Sequence, residues 1–277
     1  LNPRDLDVMR AFANLSAEQI NEKILQRDAE AAQRARLRDV IAKQSFEIAY
    51  QPIFNLETGH PAGFEALTRF AGTPYRPPNL WFDEAREAGV QSELEIAVIE
   101  VALGALAHLP SNLYVSVNAS PATVETGALP APFRKAGPER ILLEVTEHAA
   151  VGDYDALLRE LSAIRVLGTR FAVDDAGAGY SGLQHIIQLR PDIIKLDISL
   201  TAGIHQDIAR RSLAAALVAF ATETNAHIVA EGIEERAEFE TLRKLGITYG
   251  QGYLLGRPQP LSDARKLTRP EAYRKRA

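Results

Sequence analysis

The chain has 277 residues, 46% hydrophobic and 24% charged, which suits a water-soluble globular protein of one large domain or two ordinary ones. A net charge of −5 and a pI of about 5.8 exclude a global basic field, so no nucleic-acid polymer is expected as a partner. The absence of cysteine excludes disulfides, thiolate catalysis and zinc–thiolate sites; with neither a signal peptide nor an apolar run of transmembrane length, a cytoplasmic segment without membrane contact is expected.

The only methionine is Met9, so Leu1 is not a natural start, and a piece of a longer or processed protein is expected. From Pro3 to Lys43 the pattern predicts one or two helices. Leu6, Met9, Phe12 and Leu15 recur at helical spacing, and Ser16 with Gln19 offers a capping box for a second helix. Ile20, Ile24, Leu25, Leu37, Val40 and Ile41 form a patchy seam that Arg27, Arg34 and Arg38 interrupt. Two readings stand: a signalling or dimerising linker from an upstream domain, and a solvated helix cut from its partner. The arginines read as a solvated face. Residues 1–43 are therefore expected as a helical linker and candidate end of an upstream sensor domain, and residues 44–277 as the main domain.

From Phe46 the texture changes. Strands are predicted at Phe46–Phe54, Gly63–Phe70, Leu113–Asn118, Ile141–Thr146, Arg170–Val173, Ile193–Leu196, Ile228–Ala230 and Gly252–Leu254. Amphipathic helices are predicted between them at Leu94–Leu106, Asp155–Leu167, Ile208–Thr224 and Arg236–Leu245, with Gly168 and Gly246 at the C-caps. Strand–helix alternation over this length predicts an α/β fold, a closed (β/α)8 barrel of the TIM type. An open doubly wound sheet is the competitor, but no Gly-rich phosphate loop follows the first strand.

The polar residues cluster at strand ends. Glu65, Asn118 and Glu144 fall on strands two to four, and Phe171-Ala172-Val173 runs straight into Asp174-Asp175. Lys195 and Asp197 mark strand six, Glu231 follows strand seven, and Gln251 opens the last. Alone, Asp174-Asp175 favours a solvated Asx turn, and each other acid reads equally as a strand-end salt bridge. In a barrel, however, these ends share one mouth, where barrel enzymes do their chemistry. Five carboxylates, an amide and one lysine cannot stay charged there uncompensated. An all-oxygen donor set points to Mg²⁺ or Mn²⁺ rather than zinc, and the six histidines show no metal-binding spacing. With Asp174 bridging, two ions about 3.5–4 Å apart suit two-metal hydrolysis of a phosphate ester, with Arg69 as a phosphate clamp.

Glu65-Ala66-Leu67-Thr68-Arg69 resembles the signature of the EAL-domain phosphodiesterases, which hydrolyse cyclic di-GMP to linear pGpG. The resemblance extends through Tyr50-Gln51-Pro52-Ile53, Val117-Asn118, Leu143-Glu144-Val145-Thr146-Glu147, Asp174-Asp175, Lys195-Leu196-Asp197, Ala230-Glu231-Gly232-Ile233-Glu234 and Gln251-Gly252-Tyr253, and covers about Gln44 to Leu261. It implies that Glu65, Asn118, Glu144 and Asp174 hold one cation, and that Asp174, Asp175 and Glu231 hold a second. It implies further that Lys195 orients the attacking water and Glu231 takes its proton. Gln51, Leu67, Arg69, Asp197, Glu234, Gln251 and Pro258 would contact or support the nucleotide. Glu147 would brace the loop after strand five and link it to a dimer interface. The resemblance also implies a barrel whose first strand is antiparallel, a homodimer, and Ca²⁺ as an inhibitory occupant. Three departures stand out: Ala176 replaces an aromatic residue, Ala178 a small hydroxyl, and Leu255 a common Phe. Loss of the ring removes an apolar anchor of about 1–3 kcal/mol if buried, which should loosen the strand-five loop. The opening Arg4–Ala13 resembles the last helix of a GAF-type sensor domain. The expected function is a metal-dependent cyclic di-GMP phosphodiesterase. The alternatives are a silent cyclic di-GMP receptor signalling through its N-terminal helix, and a barrel phosphatase for another phosphoester.

Overall fold

The computed structural model describes residues 3–72, 75–145, 154–176 and 186–268. Its framework is a closed barrel of eight strands in sequence order. These are β1 (Phe46–Asn55), β2 (Pro61–Phe70), β3 (Tyr114–Ala119), β4 (Ile141–Val145), β5 (Arg170–Ala176), β6 (Ile193–Leu196), β7 (His227–Ala230) and β8 (Tyr249–Gly250). β1 runs antiparallel to both β2 and β8, and the other neighbours pair in parallel, so this is a (β/α)8 barrel with one reversed strand.

Side chains alternate across a strand, so residues two apart share a face. Inside the barrel this yields two layers. Ile53, Tyr114, Leu142, Ala172, Ile193 and Val229 pack as an apolar floor. Two residues nearer the mouth on the same strands stand Gln51, Ser116, Glu144, Asp174, Lys195 and Glu231, the last just beyond β7. Gly63 makes room for the floor: a Cβ there would lie 2.7 Å from the Tyr114 ring. Glu65, two residues on, completes the polar layer. Outside the strands a second, larger core joins them to the helices, with Phe64, Val115, Leu143, Phe171, Ile194 and Ile228 facing outward.

Before the barrel, α1 (Pro3–Lys43) is one continuous helix of 41 residues. This corrects the capping box: Ser16 lies in its interior, because the polar pattern there competes with uninterrupted helical propensity on both sides. Its last turns are docked. Leu37 is wholly buried with Phe46, Phe70, Trp81, Leu94 and Val98. Arg34 donates to the Ala88 carbonyl at 2.8 Å, Arg38 forks onto Glu93 at 2.9 and 3.1 Å, and Arg36 pairs with Glu84 at 2.6 Å. Met9, Ile20, Ile24 and Leu25 are exposed.

The remaining helices pack around the barrel. α2 (Pro78–Glu87), α4 (Pro121–Glu125) and α5 (Pro130–Ala136), absent from the sequence reading, each carry the proline in the first helical turn that signals a start. α3 (Gln91–Leu103), α6 (Tyr154–Val166), α8 (Ile208–Thr224) and α9 (Arg236–Lys244) match the expected amphipathic segments, and a short α7 (Ile198–Thr201) follows β6. The eighth strand is displaced from the expected Gly252–Leu254 to Tyr249–Gly250. At Gly252 the chain presses on the Ile233 backbone, where a Cβ would sit 2.2 Å from its nitrogen and oxygen, and a turn follows. β5 also runs further than expected, with an irregular register between Val173 and Ala176 that holds Asp174 and Asp175. Thr146, the last residue of the expected strand four, lies outside the described residues. No described helix is long and apolar enough to cross a membrane.

Candidate active site

The polar layer of the barrel closes on a single ammonium group. Lys195 Nζ lies 2.7 Å from Glu144 Oε2, 2.7 Å from Glu231 Oε1, 3.1 Å from Asp174 Oδ1 and 3.6 Å from Glu65 Oε1. These acids come from β4, the loop after β7, β5 and β2, so closure of the barrel alone brings them together. Asn118, at the mouth end of β3 and level with Glu144, donates to Glu65 Oε1 at 3.3 Å. Gln251 spans the ring, its amide donating to Glu65 Oε2 at 2.6 Å and to Glu231 Oε1 at 3.2 Å. Asp174, two residues after the inward Ala172, faces the same interior, and the register of β5 becomes irregular only from Val173 to Ala176. Asp175 belongs to the same strand, but its side chain lies outside what is described.

One ammonium faces four carboxylates, and the electrostatics show the imbalance. Lys195 is 1% exposed. Burial opposes its charge, but Asp174, Glu144, Glu231 and Glu65 outweigh that and hold it well above the ordinary lysine range. Burial pushes Glu144 well up, against Lys195 and with help from the Glu65 and Asp174 charges. Burial likewise raises Glu231 to about 8, with Lys195 opposing and Asp174 and Glu65 reinforcing the shift. Glu144 Oε1 and Gln251 Oε1 are fully buried and accept no hydrogen bond from the described residues. Unmatched anionic oxygen in a dry pocket suits a hard divalent cation, which takes oxygen ligands and relieves crowded charge. The residues present fit such a group: Glu65, Asn118, Glu144, Asp174 and Glu231 offer only oxygen donors.

The nucleotide-facing candidates are more scattered. Gln51 is buried beside Glu65 in the strand register and donates to the Gly256 carbonyl at 3.2 Å. Leu67 and Arg69 share the inward face of β2 above Glu65, and with Pro78, Phe82 and Asn118 they line a cavity of about 240 Å³. The Arg69 guanidinium donates to the Thr68 carbonyl. Pro258 is held near Gln51 by the antiparallel bridge between Tyr50 and Gln259. Two further candidates bond to neighbouring loop residues. Asp197 caps α7, accepting from the Ser199 N–H at 2.8 Å, and Glu234 is exposed, its N–H donating to Glu238 at 3.0 Å. Glu147 lies outside the described residues.

Glu238 is a residue the sequence reading missed. It is buried, and its two oxygens accept from the N–H groups of Gly203, Glu234 and Glu235, clamping the loop that carries Glu231. The available signal was Glu235-x-x-Glu238 ahead of a helix, a capping pattern. Those bonds also explain a second grouping of ligand-type atoms, from His205, Glu235 and Glu238, as a loop brace.

Comparison with known proteins bears on this arrangement. The chain is 31% identical over 232 residues to a cyclic di-GMP phosphodiesterase of Pseudomonas aeruginosa, covering 78% of this chain and 39% of that one. It is 30% identical over 233 residues to a probable cyclic di-GMP phosphodiesterase, PdeD, of Escherichia coli, covering 80% and 43%. The chain thus spans less than half the length of these relatives. Among solved structures, the PaMucR phosphodiesterase in complex with cyclic di-GMP superposes with a TM-score of 0.74 at 28% identity, covering 84% of this chain and 99% of that one. Klebsiella pneumoniae BlrP1 with manganese and cyclic di-GMP at pH 9.0 superposes with a TM-score of 0.70 at 30% identity, covering 78% and 56%. The EAL domain model itself matches residues 33–258, the stretch that holds every acid of the ring, and the chain belongs to the EAL-domain family.

Proposed function

We propose that this chain hydrolyses cyclic di-GMP to linear pGpG with two divalent cations, Mg²⁺ or Mn²⁺. The observation that carries the reading is the ring of four carboxylates around Lys195, with a buried Glu144 oxygen left unmatched. Glu65, Asn118, Glu144 and Asp174 would hold one cation; Asp174, Asp175 and Glu231 the other. When bound, such ions would neutralise the phosphate and lower the pKa of the attacking water. The chain's own groups do the rest. Lys195, held among the four carboxylates, orients the attacking water and stays cationic. Glu231, freed of its own proton when the cations bind, stands 2.7 Å from Lys195 and would take that water's proton. A bond forms from the water oxygen to phosphorus, and the bond from phosphorus to the ribose 3′-oxygen breaks. The proton returns to that oxygen, leaving a 5′-phosphate and a free 3′-hydroxyl. Arg69, Gln51, Leu67 and Pro258 line the approach from the mouth, with Gln251 bracing the two acids beneath, and Asp197 and Glu234 support the surrounding loops.

In this reading residues 1–43 are a linker from an upstream sensor domain, and the working unit is a homodimer. Ca²⁺ occupies the site without supporting turnover. The test is product chromatography after incubation with cyclic di-GMP and Mn²⁺, Mg²⁺ or Ca²⁺. We expect pGpG with the first two only. Saturable cyclic di-GMP binding without pGpG under Mn²⁺ and Mg²⁺ would overturn catalysis in favour of a receptor.

A further inference from the structure

We propose that Glu95 is a positioning residue that holds Asn118 in place for cation binding; the inference rests on the reading of the barrel mouth just given. Glu95 lies in α3, outside the carboxylate ring, and is only 7% exposed. No lysine or arginine pairs with it among the described residues. Its oxygens take three neutral donors instead: the Ser120 N–H at 2.9 Å and Ser120 hydroxyl at 3.0 Å on Oε2, and the Gln91 amide at 2.8 Å on Oε1. A buried carboxylate without a cation is a costly way to fill space, and a leucine would pack there with less penalty. What a leucine cannot do is grip Ser120 by backbone and side chain together.

Ser120 stands two residues after Asn118 and one after the end of β3. It also caps α4, accepting from the Thr123 N–H, while the Thr123 hydroxyl donates to Ser92 at 3.0 Å. The turn that leaves Asn118 is thus clamped to the first turns of α3 at two points. Asn118 needs such a clamp more than its neighbours do. It is the one neutral donor in the proposed set, so no charge draws it toward a cation, and its side chain donates only a long 3.3 Å bond to Glu65 among the described residues. Where its oxygen points is set by where the end of β3 sits. Residues behind metal ligands act in this way.

The test is a titration with Mn²⁺ alone, following free ion by electron paramagnetic resonance, on the parent chain and on variants. Glu95→Leu keeps the volume and deletes the acceptors. Glu95→Gln keeps one oxygen able to take both Ser120 bonds. Glu95→Leu should weaken Mn²⁺ binding by about 10- to 100-fold, and Glu95→Gln should restore most of that affinity. As a control, Ile164→Ala, buried near the end of α6 away from the mouth, should lower the melting temperature without changing Mn²⁺ affinity. Parent-like affinity in Glu95→Leu overturns the proposal. Should that variant fail to fold, Ser120→Ala carries the comparison: a several-fold loss supports the clamp, and parent-like affinity overturns it. A parent chain that binds no Mn²⁺ overturns the reading of the mouth itself, and the role of Glu95 with it.

Discussion

Lys195→Met removes the only positive charge among four carboxylates while nearly preserving side-chain volume. Lys195 is 1% exposed, and its four oxygen neighbours lie between 2.7 and 3.6 Å on side chains at most 16% exposed, so solvent replaces little of the lost attraction. Breaking a buried pair by deleting one partner costs about 3–5 kcal/mol, because the remaining charge is stranded. Here the acids have an escape that water cannot give them: they can protonate. Lys195 opposes the upward shifts of Glu144 and Glu231, so its loss raises both further. A carboxyl whose folded pKa is raised stabilises the fold below its unfolded value and loses that contribution as pH rises through its folded value. The parent's own Glu231 stays protonated up to about 8, so both proteins share the fall between pH 4.5 and 8; the metal-free variant's deficit should be smallest below pH 8 and widen above it toward about 3–5 kcal/mol. Each acid that stays protonated only in the fold adds a slope of up to about 1.4 kcal/mol per pH unit. Urea unfolding of both proteins in EDTA, at five or six pH values, measures the difference directly. A deficit that does not change with pH would refute the electrostatic account and leave only a packing defect.

Glu65→Ala or Glu231→Ala should lower cyclic di-GMP hydrolysis at least about a hundredfold with the barrel intact by circular dichroism; equal rates for mutant and parent would reject the site. In the metal-free parent, Glu231 titrates near 8 rather than its ordinary 4.5, so at pH 7 it carries a proton that a cation must displace. Mn²⁺ binding at pH 7 should accordingly release a proton, seen as a calorimetric enthalpy that depends on the buffer, and the release should fade above pH 9. By the same sign, stability in EDTA should fall as pH rises from 4.5 toward 8. Gly232 has φ +65°, and a Cβ there would lie 2.4 Å from Ile198 Cγ1. Gly232→Ala should cost about 1–3 kcal/mol, measured by thermal melting, and Ile198→Ala in the same chain should recover part of it.

Much of the site was legible because its geometry is local. Glu144 stands two residues after Leu142, Asp174 after Ala172, Lys195 after Ile193 and Glu231 after Val229, so each strand announces an inward apolar residue and an inward charge above it. Period two needs no knowledge of the partner strand. What escaped depends on contacts between distant segments. β8 is short because Gly252 must pass against Ile233, and nothing within Gly252-Tyr253-Leu254 says so. Ser16 has the chemistry of a cap, yet helix on both sides of it wins. Glu95 looks like one more polar position of an amphipathic helix, since its partner Ser120 is 25 positions away. Asp197 and the Glu234 backbone also carry local bonds that the sequence does not announce, Asp197 accepting from the Ser199 N–H and the Glu234 N–H donating to Glu238.

The acids of the ring are spread from Glu65 to Glu231, and in an unfolded chain only Asp174 and Asp175 are close enough to repel one another strongly. Repulsion therefore arises on barrel closure, and it is felt by the folded state alone. The apolar floor of Ile53, Tyr114, Leu142, Ala172, Ile193 and Val229 sharpens it by keeping water from below. A cation that binds the ring consequently has little to bind in the unfolded chain, and its whole affinity appears as stability. The same alternation that builds the barrel thus makes its mouth the least comfortable part of the metal-free fold. At pH 8 the parent chain should gain more in melting temperature from saturating Mg²⁺ than it gains at pH 5.5. A gain independent of pH would mean that the cations bind elsewhere.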